Sequence, residues 1–239
     1  MSKSIAVFGA GPGLGRAVAR RYAREGYDLV LVARRHETLE QLAEGLADTR
    51  ASVHVLAADL SDPAETPRLV DQIRDRVGDL GVIYYAPTPA TDFVPAADLT
   101  VQQAYDSMPL TFYTLIDLVH QFLPGMLDRG AGAILTAQGA SSLRGTPNLS
   151  GPGPAQAAQR NYLQSLHAEL APRGIYVGAL YVGAIIENSA FHAWTMATNG
   201  GTRDWGTTVA PAHLADLLWD MQAAGAVGEA SYPADILGS

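Results

Sequence analysis

The chain has 239 residues, 48% hydrophobic and 17% charged, enough apolar material for one sizeable α/β domain and unlike a disordered composition. Its net charge of −8, with no run of five or more basic residues, argues against a nucleic-acid partner, because phosphate-backbone affinity comes from clustered Lys and Arg. It has no cysteine, which excludes disulfides, thiolate zinc sites and a cysteine nucleophile, and its six histidines show no metal-ligand spacing, so no metal is expected.

Apolar runs suited to buried parallel strands alternate with helix-like segments. Ser4 to Phe8 reads as a strand and Leu14 to Glu25 as a helix, with Gly26 just past its end. Leu29 to Ala33 with Glu37 to Ala47, then Val53 to Ala57 with Ala64 to Val77, repeat the pair. A fourth strand, Val82 to Tyr85, precedes a long helical pattern from Val101 to Arg129 that Pro109 breaks or kinks. Ala133 to Ala137, a helix over Ala155 to Leu170 and a strand over Tyr176 to Val182 follow. Ile185 to Val209 lacks strong periodicity and carries His192, Trp194, Gly200-Gly201 and Trp205. A loop this long in a compact domain is expected to be a substrate lid. Pro211 to Ala223 is helical again, and the tail holds at most a short final strand. The order predicts a single domain over 1–239, built on a doubly wound, mainly parallel sheet with helices on both faces and a ligand at the carboxyl ends of the strands. Met1 to Phe8 is too short for a secretory signal, and no apolar run approaches the ~20 residues that span a bilayer, so a cytoplasmic protein with no membrane partner is expected.

Between the first strand and first helix stands Gly9-Ala10-Gly11-Pro12-Gly13-Leu14-Gly15. Small residues there let backbone approach a pyrophosphate, and the helix N-terminus supplies N–H donors and a positive dipole. The second strand ends in Ala33 and is followed by Arg34 and Arg35. An NAD site prefers an acid at that place for the ribose 2′-hydroxyl, whereas Arg suits a 2′-phosphate, so NADP(H) is expected over NAD(H), with Arg34 the better placed; a solvated surface charge is the plainer alternative. Asp59, in Ala58-Asp59-Leu60 after the third strand, could accept from an adenine amino group or cap the helix ahead of Asp62-Pro63.

Taken together, Gly9-x-x-x-Gly13-x-Gly15, the Arg34-Arg35 strand end, Asp59-Leu60 and the spacing of the later strands resemble the short-chain dehydrogenase/reductase family across essentially the whole chain. The resemblance implies a seven-stranded Rossmann fold with the cofactor across the strand ends, touching also Ala86, Gly183 and Ile185. It further implies a small-molecule substrate, and a homodimer or homotetramer formed through the helices within Val101–Arg129 and Ala155–Leu170.

The family's chemistry rests on a Tyr acid/base, a Lys that lowers its pKa, a Ser that binds the reacting oxygen and an Asn that holds a water. Those positions fall here on Pro152, Gln156, Gln138-Gly139 and Pro109. There is no Tyr-x-x-x-Lys anywhere, and the last lysine is Lys3. Replacements near the expected nicotinamide are Gln138, Tyr84, Tyr85, Tyr181, Glu187, Asn188 and, in the lid, His192, with Ser141 and Ser142 just beyond the Ser position. Each has a plainer reading: strand-end tyrosines pack, Gln138 can bond backbone in a turn, the serines can cap, and Tyr162 is core or interface. The sequence therefore points to an atypical NADP(H)-dependent oxidoreductase acting on a small organic substrate. A cyclase, dehydratase or isomerase on the same scaffold, and a non-catalytic NADP(H)-binding regulator, are the alternatives.

Overall fold

A computed structural model describes residues 3–88, 93–197 and 206–238. The expected alternation is present: β1 (Ser4–Phe8), α1 (Leu14–Arg24), β2 (Asp28–Ala33), α2 (His36–Glu44), β3 (Val53–Ala57), α3 (Thr66–Val77) and β4 (Val82–Tyr85). Then come α4 (Val101–Met108), α5 (Thr114–Arg129), β5 (Gly132–Gly139), α6 (Gly153–Leu170) and β6 (Ile175–Val182). The chain continues with β7 (Ile185–Ile186), α7 (Ala190–Ala197), β8 (Thr208–Val209), α8 (Pro211–Ala224) and β9 (Glu229–Tyr232).

Seven strands form one parallel sheet in the order β3-β2-β1-β4-β5-β6-β9, the doubly wound Rossmann arrangement. Alternate side chains feed two cores. Phe8, Val32, Ile83, Tyr85, Ile134 and Val177 meet α3, α5 and α6 on one face. Val7, Leu31, Val82, Tyr84, Leu135 and Leu180 meet α1, α2 and α8 on the other. Strands buried on both faces must be apolar throughout, which is why they read as continuous runs rather than alternations.

The break at Pro109 is a single π-helical turn, Pro109–Tyr113, joining α4 to α5. Its spare carbonyls are taken from outside: the Tyr85 hydroxyl donates to Leu110 O, and the Gln159 amide donates to Thr111 O at 2.5 Å. Ile185 to Val209 departs from an aperiodic loop, since β7 and β8 pair in parallel as a separate two-stranded sheet and α7 lies between them. That helix, Ala-Phe-His-Ala-Trp-Thr-Met-Ala, is apolar nearly all round, so it carries no amphipathic stripe to detect. Ser189 Oγ caps it by accepting from His192 N at 3.0 Å. Gly200-Gly201 and Trp205 lie outside the described residues. Among the described residues no helix is long and apolar enough to cross a membrane.

Candidate functional site

The glycine turn is shaped by three distinct demands. Gly9 has φ +89°, and a Cβ there would lie 2.8 Å from Ala86 O and from Pro87, so the position tolerates neither the conformation nor the volume of a side chain. At Gly15 a Cβ would come within 2.4 Å of Gly9 O, so α1 sits this close to the turn only because Gly15 has none. A Cβ on Gly11 would meet nothing nearer than Gly9 O at 3.9 Å; here glycine opens a space rather than filling one. Val32 O accepts from both Gly9 N (3.0 Å) and Ala10 N (3.1 Å), tying the turn to β2. Gly13 is the N-cap of α1 and no side chain caps it, which leaves first-turn N–H groups for an anion; Pro12 brings no donor of its own. A Cβ on Gly13 would lie 3.1 Å from Ser189, so the start of α7 covers the turn.

From this turn a cleft of about 790 Å³ runs along the carboxyl ends of the strands. Gly9, Gly11, Pro12, Gly13, Leu14, Gly15, Arg34, Arg35, Asp59, Leu60, Ala86, Gly183 and Ile185 all line it. Arg34 and Arg35 are exposed, and among the described residues neither guanidinium is held in an ion pair. Asp59 accepts from Ser61 N (2.9 Å) and Ser61 Oγ (2.6 Å) through Oδ1. Those bonds, with a smaller contribution from Arg34, hold its carboxyl below the usual range. Helix capping belongs instead to Asp62, which accepts from Ala64 N at 3.0 Å. Thr114 Oγ1, at the start of α5, donates to Leu60 O at 2.8 Å and fixes the loop. An uncapped helix, a backbone cradle at Gly11 and two unpaired cations past β2 fit a phosphorylated dinucleotide.

Past the turn the middle of the cleft is lined by neutral side chains. Gln138, near the end of β5, is 5% exposed, and neither its Nε2 nor its Oε1 has a hydrogen-bond partner among the described residues. It also borders a second cavity of about 20 Å³, shared with Tyr85, Thr111, Gln156 and Gln159, where Thr111 Oγ1 is likewise unpartnered. Gln156 is bound to the next turn, its Oε1 accepting from Ser141 Oγ at 3.0 Å. Ser142 Oγ donates to Gly139 O at 2.8 Å, a local cap.

The tyrosines divide. Tyr84 is fully buried, lines the cleft and has a hydroxyl with no partner among the described residues; burial pushes its pKa up, so the hydroxyl stays protonated at neutral pH. Tyr85 is spent on the π-helical turn. Tyr181 faces α6, not the cleft, and donates to Glu229 at 2.7 Å within a cluster in which Arg160 grips the same carboxylate at 2.9 and 3.1 Å. His192 is not among the cleft-lining residues, and its Nδ1 accepts from Asn188 N at 3.1 Å. Glu187 pairs backbone with β8 and accepts from Thr208 Oγ1 at 3.3 Å.

The open end is framed by three segments. Ser150 N donates to Val94 O at 3.0 Å, joining the loop before α6 to the chain after β4, and Phe93 meets Phe191 of α7 edge to face at 6.0 Å between ring centroids. Ile236 closes a fourth side, its Cδ1 2.2 Å from where a Cβ on Gly183 would stand. Arg144 also lines this end, on the loop after β5. Sequence patterning passed over Phe93, Arg144 and Ile236 because each lies in an irregular segment, where no period marks the side facing a ligand.

The model of the short chain dehydrogenase family matches residues 3–194. Over 181 residues the chain is 30% identical to the Inactive hydroxysteroid dehydrogenase-like protein 1 of Pongo abelii, covering 73% of this chain but about half (53%) of that relative. It is 28% identical over 180 residues to Sulfoacetaldehyde reductase 2 of Chromohalobacter salexigens, covering 74% and 70%. Among solved structures, L-sorbose reductase from Gluconobacter frateurii, complexed with NADPH and L-sorbose, superposes with a TM-score of 0.86 at 21% identity, covering 100% and 97%.

Proposed function

Because the chain belongs to the short-chain dehydrogenase/reductase family, we propose that it is an atypical NADP(H)-dependent oxidoreductase that acts on a small organic substrate without the Ser-Tyr-Lys chemistry. The observation that carries this reading is the conjunction at one end of the cleft of an uncapped helix N-terminus, an unobstructed Gly11 and the unpaired Arg34 and Arg35. A family member that had abandoned its cofactor would have no reason to keep all three free of side chains and ion pairs. The NADPH in the sorbose reductase complex, in a chain of the same fold, agrees with it.

Gly13 and Leu14 would hold the pyrophosphate through backbone beside the space Gly11 leaves open, Arg34 and Arg35 a 2′-phosphate, and Asp59 the adenine side. Bound there, NADP(H) supplies or accepts a hydride. The chain's own residues then position the substrate: Gln138, on the α5/α6 side of the sheet, can donate an amide hydrogen to the reacting oxygen, whereas the Tyr84 hydroxyl belongs to the core on the opposite face. The proton that completes an alcohol product comes from water or from the substrate itself, and orientation of hydride donor and acceptor provides most of the acceleration.

A regulatory, non-catalytic reading has one specific observation behind it, the relatives named as inactive. Titrating the protein with NADPH and NADH while following nicotinamide fluorescence, then offering a panel of ketones, imines and enones, tests both. Tight NADPH binding with turnover supports the oxidoreductase, and tight binding with silence across the panel supports the regulator. Equal affinity for the two cofactors removes the role given to Arg34. Product formed with no change in nicotinamide absorbance would mark a cyclase, dehydratase or isomerase. Homodimer or homotetramer assembly through α4, α5 and α6 is also proposed; exposed Val101, Tyr105 and Tyr113 lie on α4 and just before α5.

A further inference from the structure

Among the described residues five charged side chains line the cleft: Arg34, Arg35, Asp59, Arg144 and Arg160. Four of them are cations, in a chain whose net charge is −8, so the cleft concentrates positive charge against the trend of the whole molecule. Arg34 and Arg35 follow β2, where Arg34 interacts with Asp59, and the reading above assigns that end to the cofactor. Arg160 is neutralised by the two-point grip of Glu229. That leaves Arg144. It lies on the loop between β5 and α6, on the far side of β1 and β4 from Arg34, and among the described residues no acid pairs with it. The same cleft is lined by the apolar side chains of Leu143, Leu149, Phe93, Phe191 and Ile236.

We propose, resting on the reading that this cleft seats NADP(H) and a substrate, that Arg144 sets substrate class: the substrate has an apolar body and an anionic group, carboxylate, sulfonate or phosphate-like, that the Arg144 guanidinium binds. The apolar walls recognise the body, buried Gln138 offers neutral hydrogen bonds to an oxygen, and the charge at the mouth selects molecules carrying an acid. A guanidinium binds such oxyanions through paired N–H donors, and a charge-assisted contact of that kind changes affinity by about tenfold or more. An unpaired cation beside apolar walls also discriminates against neutral analogues, which leave it without a partner.

The test uses the full chain and three probes of one shape: 4-phenylbutyrate, 3-phenylpropylphosphonate and the neutral 4-phenylbutanamide. Dissociation constants are read by thermal shift and calorimetry, with and without saturating NADPH, for the wild type, Arg144→Gln and Arg144→Lys. One or both anions are expected to bind the wild type about tenfold more tightly than the amide, and the better of the two identifies the anion. Arg144→Gln should remove that preference without weakening amide or NADPH binding, and Arg144→Lys should restore part of it. Equal binding of anions and amide by the wild type, or equal weakening of all three probes in Arg144→Gln, would overturn the proposal. Failure of the protein to bind NADPH would remove the cofactor reading instead, because anion preference is scored independently in the cofactor-free arm. Arg144 is exposed, so neither substitution threatens the fold.

Discussion

Replacing Gln138 with Met should make the free protein more stable and a worse binder. Met has nearly the same shape as Gln but no amide. Among the described residues neither amide atom of Gln138 finds a partner, in a residue 5% exposed. An unsatisfied buried polar group costs about 1–3 kcal/mol, and removing the need for partners in a side chain of equal volume is neutral to favourable. A net gain of about 1–2 kcal/mol is therefore expected, which for a domain of this size raises Tm by about 2–8 °C. Loss of one hydrogen bond to a ligand oxygen weakens substrate or inhibitor binding by about 3- to 10-fold. Urea unfolding of the free protein, alongside ligand-dependent thermal shifts, reads both quantities on the same samples. A fall in Tm by several degrees would refute the reasoning, because it would mean that Gln138 is satisfied in the free protein and serves the fold.

Gly15→Ala places a methyl against Gly9 O and Ala10, and overpacking of about 1–3 kcal/mol should appear as lowered stability together with lost NADPH affinity by fluorescence titration. Arg34→Ala should weaken NADPH by about 10- to 100-fold while changing NADH little, which parallel titrations will show. At Glu229 burial favours the neutral acid, but hydrogen bonds from Arg160, Tyr181 and Gln164 outweigh it, so the folded carboxyl titrates below its ordinary 4.5. That contribution is present above pH about 4.5 and is lost as pH falls through the lowered folded value. Glu229→Gln should therefore cost stability in urea melts at pH 7 and progressively less toward pH 3.

The strands and most helices were legible because burial on both faces of a parallel sheet leaves long apolar runs, and the glycine turn was legible because its steric demands admit one residue type. Pro109 announced a break but not its form, since a π-helical turn depends on partners from Tyr85 and Gln159, distant in sequence. Tyr181 illustrates the opposite failure. Its strand-end position matches that of a site residue, yet the neighbouring Arg160 and Glu229 claim its hydroxyl, and Glu229 belongs to β9, an edge strand the sequence barely marks. Helix α7 was hidden by being apolar nearly all round, and Arg144 by standing in a loop.

The π-helical turn also bears on how such a scaffold can outlive its chemistry. The backbone bend at Pro109–Tyr113 does not depend on any polar side chain at Pro109, because its carbonyls are clasped by β4 from one side and α6 from the other. Straightening the helix would orphan two buried carbonyls at once and strand Tyr85 and Gln159 with them. The shape is thus inherited through the clasp, independently of the residue it displays. A descendant of an enzyme could lose its reactive groups one at a time while the cavity around them kept its outline, ready for a different occupant.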